Sequence, residues 1–344
     1  MHFQAQSTGL AILILLAVDG GAQSPKATGP TFQIEPPALS AAPIFVVYGD
    51  TRFTNWRFVR NASSPWARQA LVNKIASEKP DAVFISGDLP FRGADLGDYK
   101  VFEQETKIWR DTHLRIYPVL GNHEFYKRNL MESREGGITN WWKEFPELKG
   151  LRWYSVQLGE QVYVLCLDSN FEALAAGKPQ RIWLQQQLAS LPPSVNYVFF
   201  VLHHAQAGDY LEGRSSSYDS RASDDNLEDY LEHRQKETRI RFIVVAGHDH
   251  NYGRMERNGV MYVVSGGGGA HPVFFHRQPE DAFKGKDLFA DGQPLPNYNY
   301  LKFELGPDDL KVTMIRIANP KADGQPPTWD APDRFTLTPT IGGH

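Results

Sequence analysis

The stretch VVYGDTRFT, residues Val46 to Thr54, is an apolar run that stops at a glycine and then presents an aspartate, a threonine and an arginine. β-Branched and aromatic residues favour extended backbone, but a buried strand that ends on a carboxylate places a costly charge at its tip. Three later stretches repeat the design: VFISGDLPFRG (Val83 to Gly93), IYPVLGNHEFY (Ile116 to Tyr126) and FIVVAGHDHNYGR (Phe242 to Arg254). Each is an apolar run, then glycine, then a side chain able to bind a metal. Glycine before each such residue removes Cβ and permits a sharp exit from the strand.

Outward from these stretches, short β-rich runs alternate with amphipathic ones from Pro43 onward: PIFVVYG, PWARQALVNKIASEK, DAVFISG, DYKVFEQETKIWRDT and RIYPVLG. Apolar residues three and four apart, as in Leu71 and Ile75, mark the helical pieces, so the start reads as βαβαβ with a parallel core. The middle changes character. RWYSVQLGEQVYVLCLDS predicts a hairpin around Gly159 and Glu160, followed by the helix KPQRIWLQQQLASL and the strand NYVFFVLHH. Asn258-Gly259 predicts a hairpin turn, and a further hairpin is expected near Gly306 to Asp309. A mixed sheet is therefore expected. No repeat or composition shift divides the main body, so one domain is read over residues 43–318. Residues 23–42, rich in Pro, Ala, Ser and Gly, read as a flexible leader, and the Pro-rich residues 319–344 as an irregular tail.

The chain has 344 residues, 41% hydrophobic and 22% charged, an ordinary globular composition. Its formal net charge of -4 gives nucleic acid or an anionic membrane no electrostatic reason to bind. LAILILLAV (Leu10 to Val18) is too short to span a bilayer core of about 30 Å and resembles a secretory apolar segment. With small residues at Gly20 and Ala22, residues 1–22 are expected to be a signal peptide, and the mature chain exported to the periplasm or beyond. The single cysteine, Cys166, lies in a strand pattern and is expected to pack as a small hydrophobe.

Loops at the carboxyl ends of α/β strands converge on one crevice. The strand-then-glycine pattern puts Asp50, Asp88, Asn122, His203 or His204, His248 and His250 there. Oxygen donors and imidazoles without thiolates suit divalent Fe, Mn or Zn, or a mixed pair. A carboxylate on the second strand can bridge two ions about 3.5–4 Å apart. Each residue alone has a plainer reading as a cap, a turn former or a surface histidine. The order GD, GD, GNHE, HH, GHDH, each at the end of a predicted strand, outweighs those readings.

On these motifs the chain resembles the calcineurin-like metallophosphoesterase superfamily, with a flavour of its purple acid phosphatase-like members, over roughly Pro43 to Ile317. The resemblance implies an α/β fold of two mixed β-sheets packed as a sandwich flanked by helices. It implies phosphoester hydrolysis at a dinuclear centre of Fe, Mn or Zn, in which a metal-bound hydroxide attacks phosphorus. It implies a small-molecule or protein phosphoester as substrate, and a catalytic domain without the extra β-domain of large plant-type enzymes. Carried over by motif, Asp50 and His250 would hold the first metal, Asp88 would bridge, and Asn122, His203 and His248 would hold the second, with His204 the fallback for His203. His123 matches the residue that the family places near the leaving-group oxygen as general acid.

Two positions depart from that pattern. Many members have Asp-x-His where this chain has Asp50, Thr51, Arg52, and purple acid phosphatases can supply a tyrosine where this chain has Phe91. A guanidinium has no free lone pair and a phenyl ring no donor atom, so neither replaces the missing ligand. Arg52 reads either as a fork that grips a substrate phosphate or anchors Asp50, or as a structural ion pair below the site. Glu124 and Asp249 are candidates to orient an imidazole, and Phe125, Tyr126, Trp141, Trp142, Tyr210 and Tyr252 to wall the pocket. SGGGGAHP (Ser265 to Pro272) reads as a tight loop under the site, with His271 a further possible ligand. The missing imidazole also leaves room for a rival reading: a degenerate, non-catalytic relative that binds metal or a phosphorylated ligand.

Overall fold

Apolar runs without alternation become strands covered on both faces, and the chain builds two sheets around such strands. The structure, a computed structural model, describes residues 25–54, 63–127, 134–171, 173–204, 227–272, 286–290, 297–320 and 325–340. The first half runs β1 (Phe32–Ile34), β2 (Ile44–Tyr48), α1 (Pro65–Glu78), β3 (Ala82–Ile85), α2 (Leu96–Glu105), α3 (Lys107–Asp111), β4 (Arg115–Pro118) and α4 (Arg134–Glu144). The hairpin β5 (Tyr154–Leu158) and β6 (Val162–Cys166) follows, then α5 (Pro179–Ala189), β7 (Tyr197–Leu202), α6 (Leu227–Gln235) and β8 (Arg241–Ala246). Six strands close the chain: β9 (Tyr252–Arg257), β10 (Val260–Ser265), β11 (Lys286–Ala290), β12 (Asn299–Leu305), β13 (Leu310–Ile317) and β14 (Trp329–Leu337).

One sheet has eight strands in the order β1-β5-β6-β7-β8-β10-β9-β11, the other six in the order β14-β13-β12-β2-β3-β4. Both are mixed: β2, β3 and β4 are parallel, as are β6, β7, β8 and β10, while hairpins and the β2–β12 pair are antiparallel. The three expected hairpin turns are present. At the tightest, Asn258 and Gly259 have φ of 48° and 83°, the conformation that a two-residue turn demands.

Alternation along the central strands assigns their faces. Phe45 of β2 stacks on Phe303 at 4.9 Å and meets Phe199 of the facing sheet edge-on at 5.0 Å, so the sandwich interior is aromatic. Tyr48 points the other way, onto Trp109 of α3. On the outer face of the eight-stranded sheet, Phe200 and Leu202 pack with Trp183, Leu184 and Leu231 of α5 and α6. Helices thus cover both outer faces, which is the layering the resemblance implied. Ser64 starts α1 by accepting the Ala67 N–H, and Lys79 with φ of 51° ends it. Among the described residues no helix is long and apolar enough to cross a membrane.

Two expectations at the ends of the domain need correction, and a third lies outside the described residues. The leader contains β1, whose three residues pair with β5 and whose Ile34 is buried. The tail contains the nine-residue β14, paired with β13 at the sheet edge. Edge position explains why WDAPDRFTL does not read as a strand: one face stays wet, and proline is tolerated there. Asp333 of β14 ties the sheets together by accepting from Tyr252 Oη at 2.7 Å and from Arg254 Nε at 2.8 Å. The expected signal peptide, residues 1–22, lies outside the described residues. Cys166 is fully buried, as expected.

Candidate metal centre

The parallel strands of both sheets end at one place. Asp50 follows β2, Asp88 follows β3, Asn122 follows β4, His203 follows β7, and His248 and His250 follow β8. Hydrogen bonds stitch these exits together within each sheet, Asp50 N to Gly87 O (3.0 Å) and Gly247 N to His203 O (3.0 Å), and between the sheets, His248 N to Asp50 Oδ2 (2.8 Å). The backbone is strained here. Asp50, Asp88 and His248 have φ of 61°, 54° and 69°, and Arg52 has 47°, in a region where a side chain costs of order 1–3 kcal/mol. The glycines serve mainly close approach rather than a special turn. A Cβ on Gly247 would stand 2.4 Å from Asp50 Oδ2, and one on Gly121 2.4 Å from Asp88 Oδ1.

Carbonyl oxygens only accept, so each imidazole nitrogen facing one must carry the proton. His203 Nδ1 donates to Ser86 O (2.9 Å), His250 Nδ1 to His271 O (2.6 Å) and His123 Nδ1 to Phe91 O (2.7 Å). In the neutral rings this turns every Nε2 lone pair inward. His203 Nε2 faces Asn122 Oδ1 at 2.8 Å and Asp88 Oδ1 at 3.2 Å, two oxygen acceptors, with His248 Nδ1 also at 3.2 Å. His250 Nε2 lies 3.4 Å from Asp50 Oδ1, and both atoms are buried with no hydrogen-bond partner. Facing lone pairs repel unless a cation lies between them, so the donor set fits the oxygen- and nitrogen-bound metals expected from the sequence.

Electrostatics agree. Burial pushes His250 and His123 down to about 3, which keeps both rings neutral and able to present a lone pair. Burial raises Asp50 to about 7, whereas for Asp88 burial is overcome by His123, His203 and Arg52, which hold its carboxyl well below the usual range.

Four of the six expected metal-capable residues fall in two overlapping groups, and the other two join at their edges, Asn122 through His203 Nε2 (2.8 Å) and His250 through Asp50 Oδ1 (3.4 Å). Ligand atoms of Asp50, Asp88 and His203 lie within 4.8 Å of one another, as do those of His203, His204 and His248. His203, not His204, reaches Asn122 and Asp88; the His204 ring lies beside His248 and its Nδ1 contacts Ser169 Oγ at 2.9 Å. His271 enters through its carbonyl, while its side chain is exposed. The glycine loop before it lies under the site as expected, with Gly268 N donating to Gly49 O and Ala270 N to Asp50 O, both at 2.8 Å.

Arg52 pairs with Asp88 rather than Asp50: Nε and Nη2 both donate to Asp88 Oδ2, at 3.3 and 3.0 Å. His123 Nε2 is 3.7 Å from the same oxygen. Phe91 stands against the His123 ring at 5.4 Å, and Tyr126 lies tilted against the same ring at 4.0 Å. Trp141 and Tyr252 are core residues, and Tyr210 lies outside the described residues. Glu124 does not orient an imidazole. Its carboxylate accepts the N–H groups of Asp88, Leu89 and Gly121 at 3.1, 2.8 and 2.6 Å, stapling two ligand loops. The contacts of Ser86, Phe91 and His271 with the imidazoles escaped the sequence reading because they run through carbonyls, which every residue possesses.

A family model described as calcineurin-like phosphoesterase matches residues 44–252, more than half of the chain. No curated protein matches the chain. Among solved structures, a purple acid phosphatase from yellow lupin (Lupinus luteus) seeds is similar with a TM-score of 0.65 at 20% identity, over 88% of this chain and 55% of the lupin chain. This chain therefore spans about half the length of that enzyme. PhoD is similar with a TM-score of 0.57 at 13% identity, over 93% of this chain and 73% of that one. A dimetal phosphatase from Danio rerio has a TM-score of 0.52 at 13% identity, over 87% and 99% of the two chains. At these identities the likeness is one of fold.

Proposed function

The chain belongs to the calcineurin-like phosphoesterase family, and from that premise we propose that it hydrolyses phosphoesters at a two-site metal centre. Asp50 and His250 hold the first ion, Asn122, His203 and His248 the second, and Asp88 stands between them. The observation that carries this reading is the inward convergence of buried lone pairs, above all His250 Nε2 and Asp50 Oδ1 at 3.4 Å without another partner. Metal ions of the Fe, Mn or Zn type held there supply Lewis-acid polarisation of the phosphoryl group and acidify water.

The chain's own residues do the rest. His123, anchored through Nδ1 on Phe91 O, turns Nε2 to the cluster; that nitrogen is unprotonated in the free centre, so it acts as the acid once the negative charge of a bound phosphoester has raised its affinity for a proton. Arg52 keeps donors beyond the two spent on Asp88 and can grip a phosphate oxygen with them. The substrate is a small-molecule or protein phosphoester; the mildly acidic net charge of -4 offers nucleic acid no electrostatic footing. Export with cleavage after Ala22 belongs to the same reading, and N-terminal sequencing from the native host tests it: a start near Gln23 supports export, Met1 retained in the cytosol overturns it.

Hydrolysis of an aryl phosphomonoester and diester by the purified protein tests the function. Activity abolished by a chelator and restored by Mn, Zn or Fe is the expected result, and activity unchanged after full metal removal overturns it. One observation favours a second reading, a non-catalytic relative: Arg52 occupies an oxygen of the bridging carboxylate. Metal binding without turnover across a phosphoester panel at several pH values would select that reading.

A further inference from the structure

We propose that Arg52 competes with the first-site ion for Asp88, so that the resting centre holds one ion tightly on the Asn122 side and admits another only by displacing a guanidinium hydrogen bond. The inference rests on reading the cluster as a metal centre. It deepens that reading by making the occupancy of one half depend on metal supply.

A carboxylate offers about four lone-pair positions, two on each oxygen. On Asp88, Oδ1 accepts the His123 N–H at 2.9 Å and faces the Asn122 side, 3.2 Å from His203 Nε2. Oδ2 accepts both Arg52 Nε at 3.3 Å and Nη2 at 3.0 Å. With an ion on the Asn122 side, all four positions are taken. Among the described residues, an ion beside Asp50 and His250 then has two protein donors, fewer than the three or four that usually define a tight site. It also meets a guanidinium that never loses its charge.

Arg52 is built into this position. Asp88 is fully buried and the Arg52 side chain is 15% exposed, so water screens the pair poorly. The Arg52 N–H donates to Asp88 O at 2.9 Å, and its carbonyl accepts from Ser63 Oγ at 2.9 Å and from Arg68 Nη1 at 3.4 Å. Arg68 is itself buried and held by Glu105 through Nε at 3.0 Å and Nη2 at 2.6 Å. With φ of 47°, this clamped backbone is strained, and the surrounding bonds hold the guanidinium on Oδ2.

Calorimetric titration of the full-length apo-protein with Mn²⁺ above pH 7.5 tests the competition without measuring activity. The wild type should show a tight event and one weaker by about tenfold or more. Asn122→Ala should remove the tight event, which assigns it. Arg52→Ala should strengthen the weak event by about tenfold while moving the tight event much less. Arg52→Lys, which keeps the charge but offers a point donor instead of a fork, should fall between, and it serves if the alanine variant fails to fold. Two equal events in the wild type overturn the competition, as does a weak event that Arg52→Ala leaves unchanged or shifts together with the tight one. Binding of no ion at all overturns the metal-centre reading itself, and the competition with it.

Discussion

The Asn122 side of the centre collects donors that the Asp50 side lacks. Around His203 Nε2, the Asn122 oxygen, an Asp88 oxygen and a His248 nitrogen all stand within 3.2 Å. Across Asp88, among the described residues, Asp50 Oδ1 and His250 Nε2 face each other at 3.4 Å. The difference traces to two residues. Where an imidazole and a phenolate could have served, the chain has Arg52 and Phe91, and both have gone to other work. Arg52 holds Asp88, while Phe91 packs on His123 and fixes its tautomer through the main chain. Where a donor is missing from the Asp50 half of the cluster, the residue present holds Asp88 or His123 instead.

The comparison is broken most forcefully from the Asn122 side. Asn122→Ala should lower phosphoester hydrolysis at fixed Mn²⁺ by more than about 100-fold, the upper end for loss of an outer-shell partner. His250→Ala, on the side already poor in donors, should lose less, and initial rates over a metal series compare the two. His123→Ala should cost about 100-fold in kcat, at the low end for a general acid, while leaving calorimetric metal stoichiometry unchanged.

Acidity sharpens the contrast further. Because burial lifts Asp50 to about 7, an ion on its side must displace a proton below that pH. Affinity there should rise about tenfold per pH unit up to about 7 and flatten above it. The Asn122 side, where Asp88 is held well below the usual range, should show no such slope from its carboxylate over the same pH values. Titration calorimetry at a series of pH values separates the two. The smallest effect is expected from Glu124→Gln, which sets an amide NH₂ against backbone N–H groups now bound by the carboxylate. It should destabilise the fold by about 1–2 kcal/mol, seen as a lower thermal midpoint, with the order of the two ion affinities preserved.

What could be read from the sequence follows from what side-chain chemistry reveals. Asp50, Asp88, Asn122, His203, His248 and His250 were legible because each follows an apolar run, all but His203 by way of a glycine, a pattern that strand geometry turns into a common edge. The partner of Arg52 was not, since it depends on a positive φ and on a salt bridge across 36 residues. Nor was the work of Glu124, whose partners are backbone N–H groups. At the ends, β1 is too short to announce itself, and β14 has charges and a proline on a wet face that mask its pairing.

The most direct measurement is anomalous diffraction from crystals of the wild-type protein grown with Mn²⁺. A strong peak bonded to Asn122 Oδ1, His203 Nε2, His248 Nδ1 and Asp88 Oδ1, with a weaker one between Asp50 Oδ1 and His250 Nε2, is the expected result. No peak at saturating metal would contradict the reading of the cluster as a metal centre, and a stronger peak on the Asp50 side would contradict the asymmetry of its halves.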